Sequence, residues 1–338
     1  MNAIPEFFRI RQSFERPLVS DVAGEVQRQL AGLQLEKVVQ ADQTVAISAG
    51  SRGIANIAII IKAIAEHVRS IGGQPIIIPS MGSHGGATAE GQRGILEGFG
   101  ITEEYCGCPI QSSMETVIVA SAAEGFDVHF DRNAFEADHV IVCGRVKPHT
   151  GFSGDIESGL MKMMLIGLGK RAGAEIYHRA IKDYSFGQIV RSVAREVLSR
   201  CNVIAGVALV ENGFDETAII EAVGPDNIEE REKELLREAK RLLPQLPFPA
   251  ADLLIVDRIG KNISGTGLDT NIVGRKYLDH RAADDEYPKI RSIAIRGLTA
   301  QTKGNAIGLG LCEFCRSHVV REMDRQATFI NCITGGHV

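Results

Sequence analysis

The sequence predicts an α/β protein of two domains: a Rossmann-like N-terminal domain on a parallel sheet, a smaller α/β C-terminal domain, and a cleft between the two. Three observations predict it. Short apolar, β-branched runs alternate with amphipathic segments of helix length, the order that builds parallel sheets. The chain has 338 residues at 44% hydrophobic content, more than one ordinary core holds and enough apolar material for two. Between residues 243 and 249, Leu-Pro-Gln-Leu-Pro-Phe-Pro interrupts the alternation with three prolines. The domains are therefore placed at residues 1–247 and 248–338, and the sequence leaves open whether the last residues pack back on the first domain.

The elements follow in order. Residues 44–48 form an apolar strand, Gly50-Ser51-Arg52-Gly53 turns the chain, and residues 54–70 carry the 3.6-residue apolar period of a helix. The cycle repeats with a strand at 75–79, a glycine-rich loop at 81–88 and a helix at 89–98. Further strands are predicted at 116–120, 139–143 and 203–209, with helices at 172–182, 187–199 and 228–243. Beyond the prolines come strands at 251–256 and 292–295 and a helix at 313–325. In open parallel sheets, ligands sit at the loops that follow strand ends, where the unusual motifs of this chain also fall.

Composition removes several function classes. A net charge of −5 at pH 7, no tryptophan and 5% aromatic residues give neither the electrostatic footprint nor the stacking platforms of a nucleic-acid binder. No apolar run reaches the ~20 residues of a membrane span, and the first residues lack the pattern of a secretory leader. A cytoplasmic protein with a small-molecule substrate is expected, and its oligomeric state is not set by the sequence. Seven cysteines, an odd number at irregular spacing, read as reduced thiols. Cys312, Cys315 and His318 have soft-ligand spacing but no second pair, and the run Glu229-Glu230-Arg231-Glu232-Lys233-Glu234 reads as a solvated helix face.

The candidate chemistry gathers on a few residues. His84 sits in Gly82-Ser83-His84-Gly85-Gly86, with no apolar face to belong to. His149, in Lys147-Pro148-His149-Thr150-Gly151-Phe152-Ser153-Gly154, is an imidazole on a stiffened loop after a strand, suited to acid/base work. His178 lies within a helix and is open to either a packing or a ligand role. Lys162 interrupts the apolar run 159–169, where it must reach solvent or be desolvated into a nucleophile. Arg52, on a glycine-flanked loop, could hold a carboxylate or phosphate in two-pronged fashion.

Together, Arg52, Gly82-Ser83-His84, Lys147-Pro148-His149 with Gly151-Phe152-Ser153-Gly154, Lys162 and Tyr177-His178 resemble the lactate racemase family in order and spacing. The resemblance is closest over residues 46–180. It implies racemase or epimerase activity on a 2-hydroxy acid or related hydroxylated substrate, by proton-coupled hydride transfer to a nickel-pincer nucleotide (the pyridinium-3-thioamide-5-thiocarboxylic acid mononucleotide with nickel). By the same resemblance, residues 1–247 carry catalysis and cofactor binding. His84 and His149 would be paired acid/base residues on opposite faces of the substrate, Lys162 the covalent tether, Ser153 and Gly154 cofactor contacts, and His178 the protein's nickel ligand. Arg52 would hold the substrate carboxylate.

The chain departs from the family in two places. The family's compact Ser-Gly-Gly-Arg-Lys is spread over residues 153–162, with Lys170 the nearest rival lysine downstream. Gly267-Leu268-Asp269-Thr270-Asn271 resembles the family's Pro-Leu-Asp-Gln-Asn, but Val273-Gly274 stands where Tyr-Gln should follow, so Lys276, or Arg275, would take the substrate-binding lysine's place and the substrate need not be lactate. Two alternatives stand beside this reading: a zinc-dependent hydrolase or lyase built on the three histidines, and a non-catalytic homologue that binds a nucleotide or sugar acid.

Overall fold

A computed structural model describes residues 7–335; the first and last residues used in the leader and packing expectations lie partly outside them. The chain divides into two compact units. The larger spans Glu15–Pro148 and Ser153–Leu243, and the smaller comprises the described residues before Glu15, His149–Phe152 and the described chain from Pro244 onward.

The larger unit is built on a five-stranded sheet. Strands β1 (Thr44–Ala49), β2 (Gln74–Pro79), β5 (His139–Arg145), β6 (Val203–Glu211) and β7 (Thr217–Val223) lie in the order β2-β1-β5-β6-β7. The first three pairings in that order are parallel, and β7 runs antiparallel to β6. Near-continuous burial along β1 and β5 is what a parallel sheet covered on its faces requires. Helix α1 (Val22–Ala31) buries Val22, Val26 and Leu30, and helix α2 (Ile57–Ser70) buries Ile57, Ile60, Ile61, Ile64 and Val68. These side chains join Val45, Ile47, Ile77 and Ile141 in one core. Removing one fully buried isoleucine, as in Ile61→Ala, costs about 2–5 kcal/mol through lost burial and the cavity left behind.

Strands β3 (Thr116–Ser121) and β4 (Asp127–Asp131) form a separate antiparallel pair outside this sheet. The sequence predicts β3 as one more strand in a parallel arrangement, and the structure corrects that. A five-residue link that turns at Gly125 is too short for a parallel crossover. The same reasoning makes β7, unassigned in the sequence, the return arm of a hairpin from β6.

The smaller unit holds a three-stranded parallel sheet, β10 (Phe314–Cys315), β9 (Lys289–Ile295) and β8 (Ala250–Val256) in that order. Its core gathers Ile259, Val273, Ile290, Ile293 and Ile295. The helix predicted over 313–325 is not continuous. Residues 314–315 pair with β9 because Glu313 is drawn inward to accept from the Ile293 amide at 2.7 Å and to pair with the buried Arg275 at 2.8 Å. A helix then covers Ser317–Glu322, the chain extends at Met323, and Asp324 caps the next helix through the Ala327 amide. All seven cysteines are free thiols. Among the described residues no helix is long and apolar enough to cross a membrane.

Candidate active site

Three motif loops leave the C-terminal ends of adjacent strands in the larger unit: Gly50–Gly53 after β1, the His84 loop after β2, and Val146-Lys147-Pro148 after β5. That edge is where the strand order turns back on itself, because β1 is flanked by β2 on one side and β5 on the other.

The first two loops are joined directly, since the Ser51 hydroxyl is hydrogen-bonded to His84 Nδ1. Gly82 adopts φ +60°, and a Cβ there would sit 2.9 Å from Ile166 Cγ2. Only glycine lets this loop close onto the segment that carries Lys162. Gly85, at φ +67°, lies equally tight against Gly91 at the start of α3 (Ala89–Gly98). His84 itself is exposed.

Lys162 ends a short helical turn, Leu160–Lys162, that passes into the π-helical turn Met163–Gly167 and then, through Leu168 and Gly169, reaches helix α4 (Lys170–Ala180). Its ammonium lies 6.0 Å from the centre of the Phe186 ring, at the start of helix α5 (Phe186–Arg200). Tyr177 meets Phe186 edge-on at 5.7 Å and is 5.3 Å from the ring of the exposed His178. Desolvation, aided by Arg52 and opposed by Glu157, pushes the Lys162 amine down to about 7. The residue is half-buried, and with the amine at about 7 roughly half of it is neutral at pH 7. Desolvation and the like charge of Arg145 also lower the Arg52 pKa. A guanidinium in that state gains from an incoming carboxylate or phosphate. The larger unit therefore gathers Arg52, His84, Lys162 and, through Phe186 and Tyr177, His178.

The chain between Lys147 and Lys162 is a closed loop. Lys147 and Ser158 exchange backbone hydrogen bonds at 2.9 and 3.3 Å. Buried Glu157 accepts from the Gly154 amide at 3.1 Å and pairs with Lys240 at 2.7 Å, and Lys240 also donates to the Gly154 carbonyl. Both backbone polar groups of Gly154 are thus engaged, while Ser153 is exposed beside it.

His149 belongs to the smaller unit. Its imidazole stacks on Phe152 at 4.0 Å, and Nδ1 accepts the Gly151 amide at 3.0 Å, which puts the proton of the neutral ring on Nε2. Thr270 donates to the Thr150 carbonyl at 2.5 Å and Asn271 to the His149 carbonyl at 3.3 Å. Thr270 and Asn271 therefore clamp the His149 loop. Nearby, Arg275 is fully buried, bonded to Glu313 and to the carbonyls of Asp279, Leu311 and Ile290. Its guanidinium is structural, which leaves Lys276, half-buried with its amide on Glu286, as the candidate for substrate.

Two further readings change. Glu232 is not on a solvated face: it is buried, takes the Met161 amide at 3.0 Å, and its carboxyl fills the space a Cβ on Gly159 would need. Burial pushes it up to about 7. The signal was present, because Glu232 falls on the stripe of Ile228, Leu235, Leu236 and Ala239 along helix α6 (Ile228–Leu242). Lys170, the rival lysine, is buried against Asp131 at 3.0 Å. Among the described residues no group of three or more His, Cys, Asp or Glu side chains is placed to hold a metal ion, Cys312, Cys315 and His318 included.

The profile of the lactate racemase N-terminal domain matches residues 10–186, more than half of the chain. Among solved structures, the lactate racemase apoprotein from Thermoanaerobacterium thermosaccharolyticum is similar with 14% identity and a TM-score of 0.52, over 86% of this chain and 71% of that one. A Thermotoga maritima protein is similar with 13% identity and a TM-score of 0.55, over 84% and 72%. At these identities the likeness is one of fold. No curated protein matches the chain.

Proposed function

The chain belongs to the lactate racemase family, and we propose that it is a racemase or epimerase of a 2-hydroxy acid or related hydroxylated substrate, working with a nickel-pincer nucleotide. The observation that carries this reading is Lys162, a half-buried lysine whose amine is lowered to about 7 and which shares an aromatic wall with His178.

The residues present fit the cofactor. A neutral amine is the nucleophile an amide tether needs. A lone imidazole suits a metal that brings its other donors with it, and a four-coordinate planar set is reasonable for Ni(II). When bound, the group supplies a hydride acceptor and donor, so the alcohol carbon never has to lose a proton it holds tightly.

The chain's own residues do the rest. His84 and His149 each move the hydroxyl proton, one for each enantiomer. Ser51 orients the first imidazole through Nδ1, and Gly151 fixes the second so that Nε2 faces away from its own backbone. Arg52 would pair with the substrate carboxylate, Ser153 and Gly154 would contact the cofactor, and Lys276 would take a substrate oxygen. The positions that replace Tyr-Gln support a substrate that need not be lactate. Val273 is apolar and buried and Gly274 has no side chain, so neither offers the polar side-chain contact of Tyr-Gln.

The test is racemisation in D2O, using protein co-produced with the enzymes that make the cofactor and single enantiomers of 2-hydroxy acids and sugar acids. Interconversion without deuterium at the carbon supports the hydride route. Deuterium wash-in would overturn that route, and no interconversion by nickel-loaded protein would overturn the racemase reading.

A further inference from the structure

The His84 loop rests on a buried polar assembly that the chemistry above does not use. Lys170 is fully buried at the first position of α4, with φ +54°. Its ammonium pairs with Asp131 Oδ2 at 3.0 Å and donates to the carbonyl of Pro79, the last residue of β2, and to Gln92 Oε1 at 3.3 Å. Asp131 is itself fully buried and anchored, since its Oδ1 accepts the Ala134 amide at 2.9 Å. Gln92, also fully buried, donates from Nε2 to the carbonyls of Gly82 at 2.8 Å and His84 at 3.3 Å.

The direction of the Gln92 amide is forced. An ammonium can only donate, so Oε1 must face Lys170, and the NH2 group is thereby aimed at the two carbonyls that bracket Ser83. A buried ion pair is a poor way to gain stability, because desolvation cancels most of its attraction. A relay that ends on the backbone of a candidate acid/base residue gives it another use. The same lysine begins the helix that carries Tyr177 and His178, so one group ties the His84 loop to that helix.

We propose that Lys170, seated on Asp131, and Gln92 are positioning residues that set the His84 imidazole relative to the helix bearing His178. The proposal rests on the reading of His84 as an acid/base residue.

Gln92→Glu tests it, because a carboxylate still accepts from Lys170 but no longer donates to Gly82 and His84. The probe is the His84 ring resonance in 15N-histidine-labelled protein, assigned by its loss in His84→Asn. The expected result is a folded protein with a displaced or broadened His84 signal and a shifted titration midpoint. In cofactor-loaded enzyme, kcat should fall about 10–100-fold with little change in KM, while the Lys162 adduct and nickel content stay intact. Gln92→Met, which buries no new charge, carries the same expectation should Gln92→Glu not fold. A folded variant of either kind with an unaltered His84 resonance overturns the proposal. Full activity in His84→Asn would instead sink the acid/base reading, and the resonance would still judge the positioning.

Discussion

The loops that carry His84 and His149 are held in different ways. The first rests on a buried ion pair relayed through Gln92, and the second on two neutral side chains, Thr270 and Asn271, that reach its carbonyls. Both solve the same problem, since a loop at a strand end has backbone carbonyls that no sheet partner satisfies. The charged clamp is fixed by desolvation: once folded, removing one partner leaves the other stranded in the core. The neutral clamp is graded, and each hydrogen bond contributes on the order of 1 kcal/mol. The His84 region should therefore fail all at once, and the His149 region by degrees.

The largest effect that sharpens this contrast is Lys170→Met, which strands Asp131 and should cost about 3–5 kcal/mol in urea unfolding. Adding Asp131→Leu should recover much of that loss, whereas additive losses would break the idea of a coupled pair. A middle effect comes from Glu232, a further buried acidic anchor in the larger unit. Its folded pKa of about 7 lies above the unfolded value of 4.5, so its contribution is complete below pH 4.5 and is lost as pH rises through 7. The wild type should lose up to about 3 kcal/mol relative to Glu232→Gln between pH 4.5 and 7.5. Parallel stability curves for the two proteins would contradict this. Thr270→Val and Asn271→Ala should give the smallest effects, about 1 kcal/mol each and insensitive to pH, with a fall in turnover that follows the His149 loop. A loss as steep as that of Lys170→Met would erase the distinction.

Sequence reading reached the two histidine loops because glycine and proline flank them, and it placed β1, β2 and β5 because apolar runs of strand length stand out. The supports were harder to read. Asp131 ends a hairpin strand whose short turn made no helix-and-strand cycle, and Lys170 looked like a rival tether because an ammonium in an apolar run has no visible partner until the fold brings one. Arg275 was open to a substrate role for the same reason, its carboxylate partner lying 38 residues away. Glu232 was legible in principle, since its spacing matched the buried stripe of α6, but its charged neighbours outweighed that period. The helix expected over 313–325 failed where Glu313 gains more from Arg275 and the Ile293 amide than from a helical turn.

The most direct measurement of the central claim is the intact mass and nickel content of the protein co-produced with the pincer-nucleotide biosynthesis enzymes, beside a Lys162→Ala variant. The account predicts a covalent adduct of mononucleotide size with nickel in the wild type and neither in the variant. A folded wild type without adduct or nickel, or an adduct that survives in Lys162→Ala, would contradict it.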